Sequence, residues 1–439
     1  MNIDDTNSIR SRYGHVEIDV LAGFPSGRVR NSMRAVQMKL ISKRLRSYAG
    51  EVARTGEGSP VYLLDIDSIE AAAEQLLKAW KSHFPRLCLA YSYKTNSLSV
   101  ITRRLAGIGA GAEVSSGAEM CFALQDGFNP SKVFLGGAAK QKSELLRALE
   151  LGAIIKLDSV DEMITVRELA VSSGLFARCL IRMATFHGGA WSRFGLHPEE
   201  YPIALGMSRP GEVELVGLHF HPGSNLQDPD THAKVTTMYV PILQDFLLRA
   251  KGRSMVLSVG GGFPANSFDC KKVPPEADEF AQAIKLALAK NQVDPNSIDL
   301  VVEPGRCLVE DHGVLIASVV ASKVRDNRKI LIIDCGSNLV RSALSWFHPV
   351  EFLANYSKGK EHIYDIYGSQ CFESDLIAKG VSGPATVRRG DLVLIGEVGG
   401  YDLATANFWT HPLPAVYAIS HDEIVLARRS QLVSEMRLE

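Results

Sequence analysis

The run LCLAYSYKTN, Leu87 to Asn96, is apolar and strand-like yet closes on Lys94, with Thr95 and Asn96 directly after it. Burying an unpaired ammonium is costly, so Lys94 either reaches solvent along its stem or sits in a pocket that uses an amine. Other apolar runs end on residues equally suited to chemistry. They are Glu113 in GAEVSS, Gly136 and Gly137 in KVFLGG, Asp158 in AIIKLDS, His221 and Ser224 in HPGS, Gly260 to Gly262 in VGGG, and Glu303 and Arg306 in EPGR. Glycines let backbone N–H groups approach an anion closely. Ser224 and Arg306 add hydrogen bonds and a fixed positive charge, so with the glycines they read as a phosphate site. A lysine can form a Schiff base. A carboxylate such as Glu303 can keep a heterocyclic nitrogen protonated. Lysine, phosphate cradle and ring-nitrogen carboxylate together describe pyridoxal 5′-phosphate.

Each of these residues also has a plainer reading. Lys94 alone is a solvated strand-end lysine, and His221 alone is a hydrogen-bonded core histidine. The glycine triplet alone is a tight turn. Glu303 and Arg306 alone are a salt bridge. FHGGAWSRFG, Phe186 to Gly195, is either a loop near the site or an ordinary connection.

The elements that would position these residues follow a regular order. From Pro60 onward, short β-rich runs alternate with helical patterns. IDSIEAAAEQLLKAWKSH reads as a helix with its N-cap at Asp67 and Glu70 three residues on. Ile69, Ala73, Leu76 and Trp80 share its apolar face. Eight candidate strands follow, in LCLAYSYK, GAEVSS, KVFLGG, AIIKLDS, ARCLIRMAT, VELVGLHFHPGS, MVLSVGGG and DLVVEPGR. Eight β/α alternations over about 240 residues predict a closed parallel (β/α)8 barrel, where chemistry gathers at the C-terminal ends of the strands. A doubly wound open sheet would show the same local signals. Beyond about Val314, short runs such as VLIASVVASKVR, KILIIDCG, GDLVLIG and PAVYAIS predict an antiparallel β domain. The expected division is an N-terminal extension over 1–65, which could add a strand (HVEIDVLAG) or a helix (VRNSMRAVQMKLISKRLRSYAG) to the β domain, then a barrel over 66–312 and a β-sandwich or barrel domain over 313–439.

The chain has 439 residues, enough for two or three domains, and 46% are hydrophobic. Its 48 basic and 49 acidic side chains nearly cancel, so no global field draws it to nucleic acid or a membrane. No apolar span is long enough to cross a bilayer, and the first residues carry no secretory pattern. Seven scattered cysteines without a CxxC fit reduced thiols in a cytoplasm better than disulfides or a zinc site. No metal is expected.

From about Ser59 to Tyr417 the chain resembles the fold-type III pyridoxal-phosphate decarboxylases, the group containing diaminopimelate and ornithine decarboxylases. AYSYKTN looks like their Schiff-base lysine motif, GLHFHPGSN their histidine-glycine-serine motif, VGGGFP their phosphate loop and EPGR their ring-nitrogen motif. IIDCGSNLVRSALSWFHPV, YGSQCFESD and GGYDLATANFW resemble three further segments. The resemblance implies an alanine-racemase-like barrel plus a β domain. It makes Lys94 the cofactor lysine, with His221 stacked on the ring. Glu113, Ser224, Gly261, Gly262, Gly305, Arg306 and Tyr401 also hold cofactor, and Glu303 meets the ring nitrogen. Arg341 binds a substrate carboxylate, with Ser345, Arg306 and Tyr401 nearby. Cys371 is the proton donor, entering from the partner subunit of a homodimer with shared active sites. The other cysteines are taken as structural. Glu303 favours decarboxylation, because the related alanine racemases place an arginine there.

Two departures bear on substrate. The family's acid for a distal ammonium directly follows the cysteine, and here that position is Phe372. Ser345 replaces a family tyrosine. A free distal ammonium would face an apolar ring, at a cost of order 1–3 kcal/mol, unless Glu373 takes over. The expectation is therefore an amino-acid decarboxylase whose substrate lacks a free distal ammonium, as in siderophore or antibiotic assembly. The alternative is meso-diaminopimelate decarboxylase. A racemase and a non-catalytic cofactor-binding regulator are more remote.

Overall fold

In the computed structural model, which describes residues 41–55, 58–250, 252–265, 273–345, 348–353 and 361–437, each of the eight apolar runs forms a strand. A first strand, β1 (Val61–Asp65), precedes them. They are β2 (Leu87–Ser92), β3 (Gly111–Val114), β4 (Val133–Leu135), β5 (Ile154–Leu157), β6 (Ala177–Arg182), β7 (Val213–His219), β8 (Met255–Ser258) and β9 (Ile298–Val302). All eight are parallel, each pairs with its neighbours in the chain, and β9 closes on β2. The predicted closed barrel is what forms, not the open sheet.

Side chains alternate along each strand, so every second residue points inward. Ala90, Phe134, Ile154, Leu180 and Val301 make a small apolar layer of their own. Two residues further along the same strands come Ser92, Gly136, Lys156, Arg182 and Glu303. Above the apolar floor, the barrel is therefore lined by polar groups at the strand ends.

The helix after β1 spans Ile66–Lys81 and buries Ile66, Ile69, Ala73, Leu76 and Trp80, the predicted face. Each such large apolar side chain stabilises by roughly 1.5–3 kcal/mol. Its N-cap is Asp65, not Asp67: an Asp65 carboxylate oxygen accepts the Ser68 N–H at 3.1 Å. The strand runs into the helix with no loop, so its last residue is the cap. Asp67 instead pairs with Arg44 at 2.7 Å.

The second body is a nine-stranded sheet built from β1 and β10 (Gly313–Arg325), β11 (Arg328–Ile333), β12 (Val350–Phe352), β13 (Glu361–Tyr367), β14 (Leu376–Pro384), β15 (Leu392–Gly396), β16 (Val416–Ser420) and β17 (Glu423–Arg428). It is mixed rather than wholly antiparallel, because β1 runs parallel to β16 and β11 parallel to β13. β1 lies between β10 and β16. Helix Lys43–Thr55 lays Leu45, Ala49 and Val52 against Val61, Leu63, Val314 and Ile316 of this sheet. HVEIDVLAG lies outside the described residues. In FHGGAWSRFG, Phe186–His187 pairs with Ala190–Trp191 across Gly188 and Gly189, whose φ of 56° and 82° suit a tight hairpin. Among the described residues, no helix is long and apolar enough to cross a membrane.

Candidate active site

Lys94 lies in a single helical turn, Tyr93–Thr95, at the end of β2. Its side chain is 48% exposed, so the amine stands in the open barrel mouth, yet its Nζ donates to Glu113 Oε2 at 2.7 Å. Desolvation works to lower its pKa, but the Glu113 charge prevails and the ammonium form is favoured. Glu113 on β3 is buried. Burial alone would raise its pKa, but Lys156 and Lys94 together hold it well below the usual carboxylate range.

Lys156 is the residue that sequence reasoning passed over. It is 2% exposed on β5, and its Nζ donates to Glu113 Oε1 at 2.9 Å and to Glu303 Oε1 at 3.1 Å. A lysine inside the apolar run AIIKLDS is the same oddity as Lys94, and the signal that could reveal it. Asp158, at the run's end, instead accepts from Arg182 at 3.0 Å. Ser92 donates to Glu113 Oε2 at 2.9 Å, and Ser258 to Glu303 Oε1 at 2.7 Å. His219 Nε2 lies 3.3 Å from Glu303 Oε2. Burial pushes His219 down to about 4, so the ring is neutral near pH 7. Burial works against ionised Glu303 too, but the Lys156 ammonium, foremost among its neighbours, holds its carboxyl well below the ordinary value.

The glycine loop follows β8. Gly260 and Gly262 have φ of 68° and 93°. A Cβ on Gly261 would lie 2.4 Å from the Glu303 carbonyl oxygen, and one on Gly262 2.3 Å from that of Gly223. The loop therefore presents bare backbone. The Gly261 N–H donates to His221 Nδ1 at 3.2 Å, which joins the two loops and fixes the imidazole. Burial, with Lys94 nearby, pushes His221 down to about 3. Ser224 is exposed two residues beyond Pro222 on that loop. The buried His232 was also missed; its Nε2 contacts the Gly261 carbonyl at 3.0 Å and its ring stacks on Phe263 at 5.1 Å.

Gly305 caps the short helix Arg306–Val309. Arg306 hydrogen-bonds Glu310, not Glu303, so EPGR is not a local salt bridge. The Arg306 guanidinium lies 4.8 Å over the Tyr401 ring. Tyr401 has φ of 68°, a sparsely populated conformation for a non-glycine residue. Its N–H donates to the Thr95 carbonyl at 2.7 Å. One residue on, Asp402 accepts the Ser342 N–H at 2.8 Å, which ties the Arg341 turn to Tyr401.

The structure thus gathers Lys94, Glu113, His221, Gly261, Gly262, Glu303, Gly305, Arg306 and Tyr401. Ser224 is on the His221 loop of the barrel, and the remaining residues stand on the sheet body. Arg341 and Ser345 are exposed on the turn after β11, and Cys371 and Glu373 are exposed on the loop between β13 and β14. Asp375 pins that loop, accepting the Ser337 and Gln370 N–H groups at 2.7 Å each. Phe372 leans on Trp409, ring centroids 5.5 Å apart. Of the seven cysteines, Cys270 lies outside the described residues, and the other six are free thiols.

An amine, a bare backbone loop beside a fixed imidazole, and a buried carboxylate in one mouth suit a phosphorylated heterocyclic aldehyde. Comparisons with known proteins agree. The family profile described as pyridoxal-dependent decarboxylase, pyridoxal binding domain, matches residues 70–310. Diaminopimelate decarboxylase of Deinococcus radiodurans is 32% identical over 385 residues, covering 85% of this chain and 93% of that protein. The crystal structure of diaminopimelate decarboxylase from Helicobacter pylori complexed with L-lysine aligns with a TM-score of 0.78 at 26% identity, over 88% of this chain and 98% of that one. Lysine/ornithine decarboxylase from Vibrio vulnificus, complexed with putrescine, shares the fold at a TM-score of 0.71 and 23% identity, over 84% of this chain and 96% of that one.

Proposed function

This chain belongs to the pyridoxal-dependent decarboxylase family, and from that premise we propose that it removes one α-carboxylate of meso-diaminopimelate. The enzyme is a pyridoxal-phosphate-dependent carboxy-lyase. The expectation of a substrate without a free distal ammonium yields to its alternative, because relatives matched over nearly their full length are diaminopimelate decarboxylases.

The observation that carries the reading is Lys94, paired with Glu113 in the same barrel mouth as buried Glu303 and the bare glycine loop. The cofactor, when bound, supplies an electron sink for the electron pair left by departing CO2. Lys94 would hold its aldehyde carbon. Gly261, Gly262, Ser224, Gly305, Arg306 and Tyr401 would hold its phosphate. His221 would lie against the ring, and Glu303 would face the ring nitrogen. Arg341 and Ser345 would take a substrate carboxylate. Cys371 would deliver a proton to the α-carbon. Its exposure on the sheet body supports delivery into the partner's site, and hence a homodimer. Free thiols and the absence of a membrane-crossing helix among the described residues support a cytoplasmic enzyme.

One observation favours a second reading, in which the substrate's far end carries no free ammonium. Phe372 is paired with Trp409, so this surface is aromatic where the family resemblance places an acid.

The test is CO2 release from the cofactor-loaded protein with diaminopimelate, lysine, ornithine and an N-acylated diaminopimelate. Turnover of diaminopimelate is expected. Turnover of the acylated compound alone would reverse the two readings. A protein that gains no visible absorbance with cofactor would sink both.

A further inference from the structure

We propose that Lys156 is a positioning residue: it keeps Glu113 and Glu303 ionised and in place when Lys94 leaves its ion pair to take up the cofactor. This rests on the cofactor reading above. Lys94 and Lys156 face Glu113 and Glu303, two ammoniums against two carboxylates, and three close contacts join them at 2.7, 2.9 and 3.1 Å. Once bonded to an aldehyde carbon, Lys94 no longer offers Glu113 a free ammonium. A buried carboxylate left without a cation takes up a proton. Lys156 prevents this, because it reaches both carboxylates from a third strand and stays fully buried.

Gly136 makes the reach possible. A Cβ there would lie 2.9 Å from Lys156 Cε and 3.0 Å from Glu113 Oε1. The missing side chain is the lane through which the lysine passes.

Among the described residues, no other charged group nearby can replace it. Lys140 is held by Glu162 at 2.9 Å, and Arg182 by Asp158 at 3.0 Å. Glu119 adds a negative charge and already accepts the Ser115 N–H. His219 and His221 are held neutral by burial.

The experiment compares wild type, Lys156→Met and Gly136→Ala as full-length, cofactor-loaded proteins. Two quantities are read: the cofactor's dissociation constant, and the pH midpoint of its visible absorbance. Lys156→Met is expected to weaken cofactor binding about tenfold or more and to move the midpoint by ~1 unit or more. Gly136→Ala keeps the charge but displaces it, and is expected to shift both in the same direction by less. A folded Lys156→Met protein with wild-type binding and midpoint overturns the proposal. If Lys156→Met does not fold, an unchanged midpoint in Gly136→Ala overturns it instead. A wild-type protein that takes up no cofactor overturns the reading beneath as well, which separates the two failures.

Discussion

The backbone N–H of Tyr401 donates to the carbonyl of Thr95 at 2.7 Å, one residue past Lys94. A segment that follows the sheet strand β15 is thereby fastened to the turn that presents the barrel's lysine. Gly305 is packed against the same turn, and a Cβ there would lie 2.1 Å from Thr95 Oγ1.

Gly305→Ala should therefore cost about 1–3 kcal/mol of stability through overpacking, and loosen the cofactor by moving this turn. Tyr401→Phe keeps the backbone bond and removes only the hydroxyl. Its thermal midpoint should stay near wild type while cofactor affinity falls about tenfold, the loss of one hydrogen bond to a charged group. Thermal melts and cofactor titration check both. Wild-type affinity in Tyr401→Phe would remove the hydroxyl from the phosphate site.

Glu303→Gln leaves Lys156 with Glu113 as its ionised partner and, on the proposed reading, takes the negative charge from the ring nitrogen. Turnover should fall by about 10²-fold or more, the scale of losing one preorganised electrostatic contact. Steady-state CO2 release measures it. A kcat within twofold of wild type would place the ring nitrogen elsewhere.

Burial depresses His219 and His232 to about 4 each. An unfolded histidine titrates near 6.5. Below that pH the unfolded chain binds protons that the folded one refuses. Stability is thus full above about pH 6.5 and falls from there to about pH 4, by up to ~1.4 kcal/mol per pH unit per histidine. Glu113 and Glu303, depressed carboxylates, withdraw their own contribution as pH drops further. Thermal midpoints of the cofactor-free protein between pH 8 and pH 4 should show this decline, roughly as one fewer proton in His232→Phe. An equal slope in wild type and variant would contradict the burial argument.

Delivery of Cys371 into the partner's site, as proposed, makes a sharp expectation. Lys94→Ala and Cys371→Ala should each be nearly inactive alone. Mixed and allowed to exchange subunits, half the dimers carry one intact site, so about a quarter of wild-type activity should return. No recovery after demonstrated exchange would place Cys371 in its own chain's site, or outside catalysis. On the same loop, Phe372→Asp should raise kcat/KM for diaminopimelate about tenfold if the aromatic pair borders the distal end.

The barrel was legible because its evidence is local. Alternating apolar runs, each followed by a helical pattern, specify strands and crossovers one at a time, and eight parallel strands in chain order have few ways to close. The glycine loop and the strand-end residues could be read for the same reason: each sits a fixed step beyond an apolar run. Asp65 was misread by two residues because strand and helix share it. The two parallel pairings in the sheet left no trace in alternation, which is the same for either direction. The role of Lys156 was hidden for a deeper reason. Its partners lie 43 and 147 residues away, and although a lysine inside AIIKLDS is an oddity, nothing in the run says which groups it meets until the barrel closes. The sequence by itself determined which strands form and which chemical groups stand at their ends. Which charges face one another was decided by tertiary structure alone, because ion pairing and desolvation depend on distances that only closure of the barrel sets.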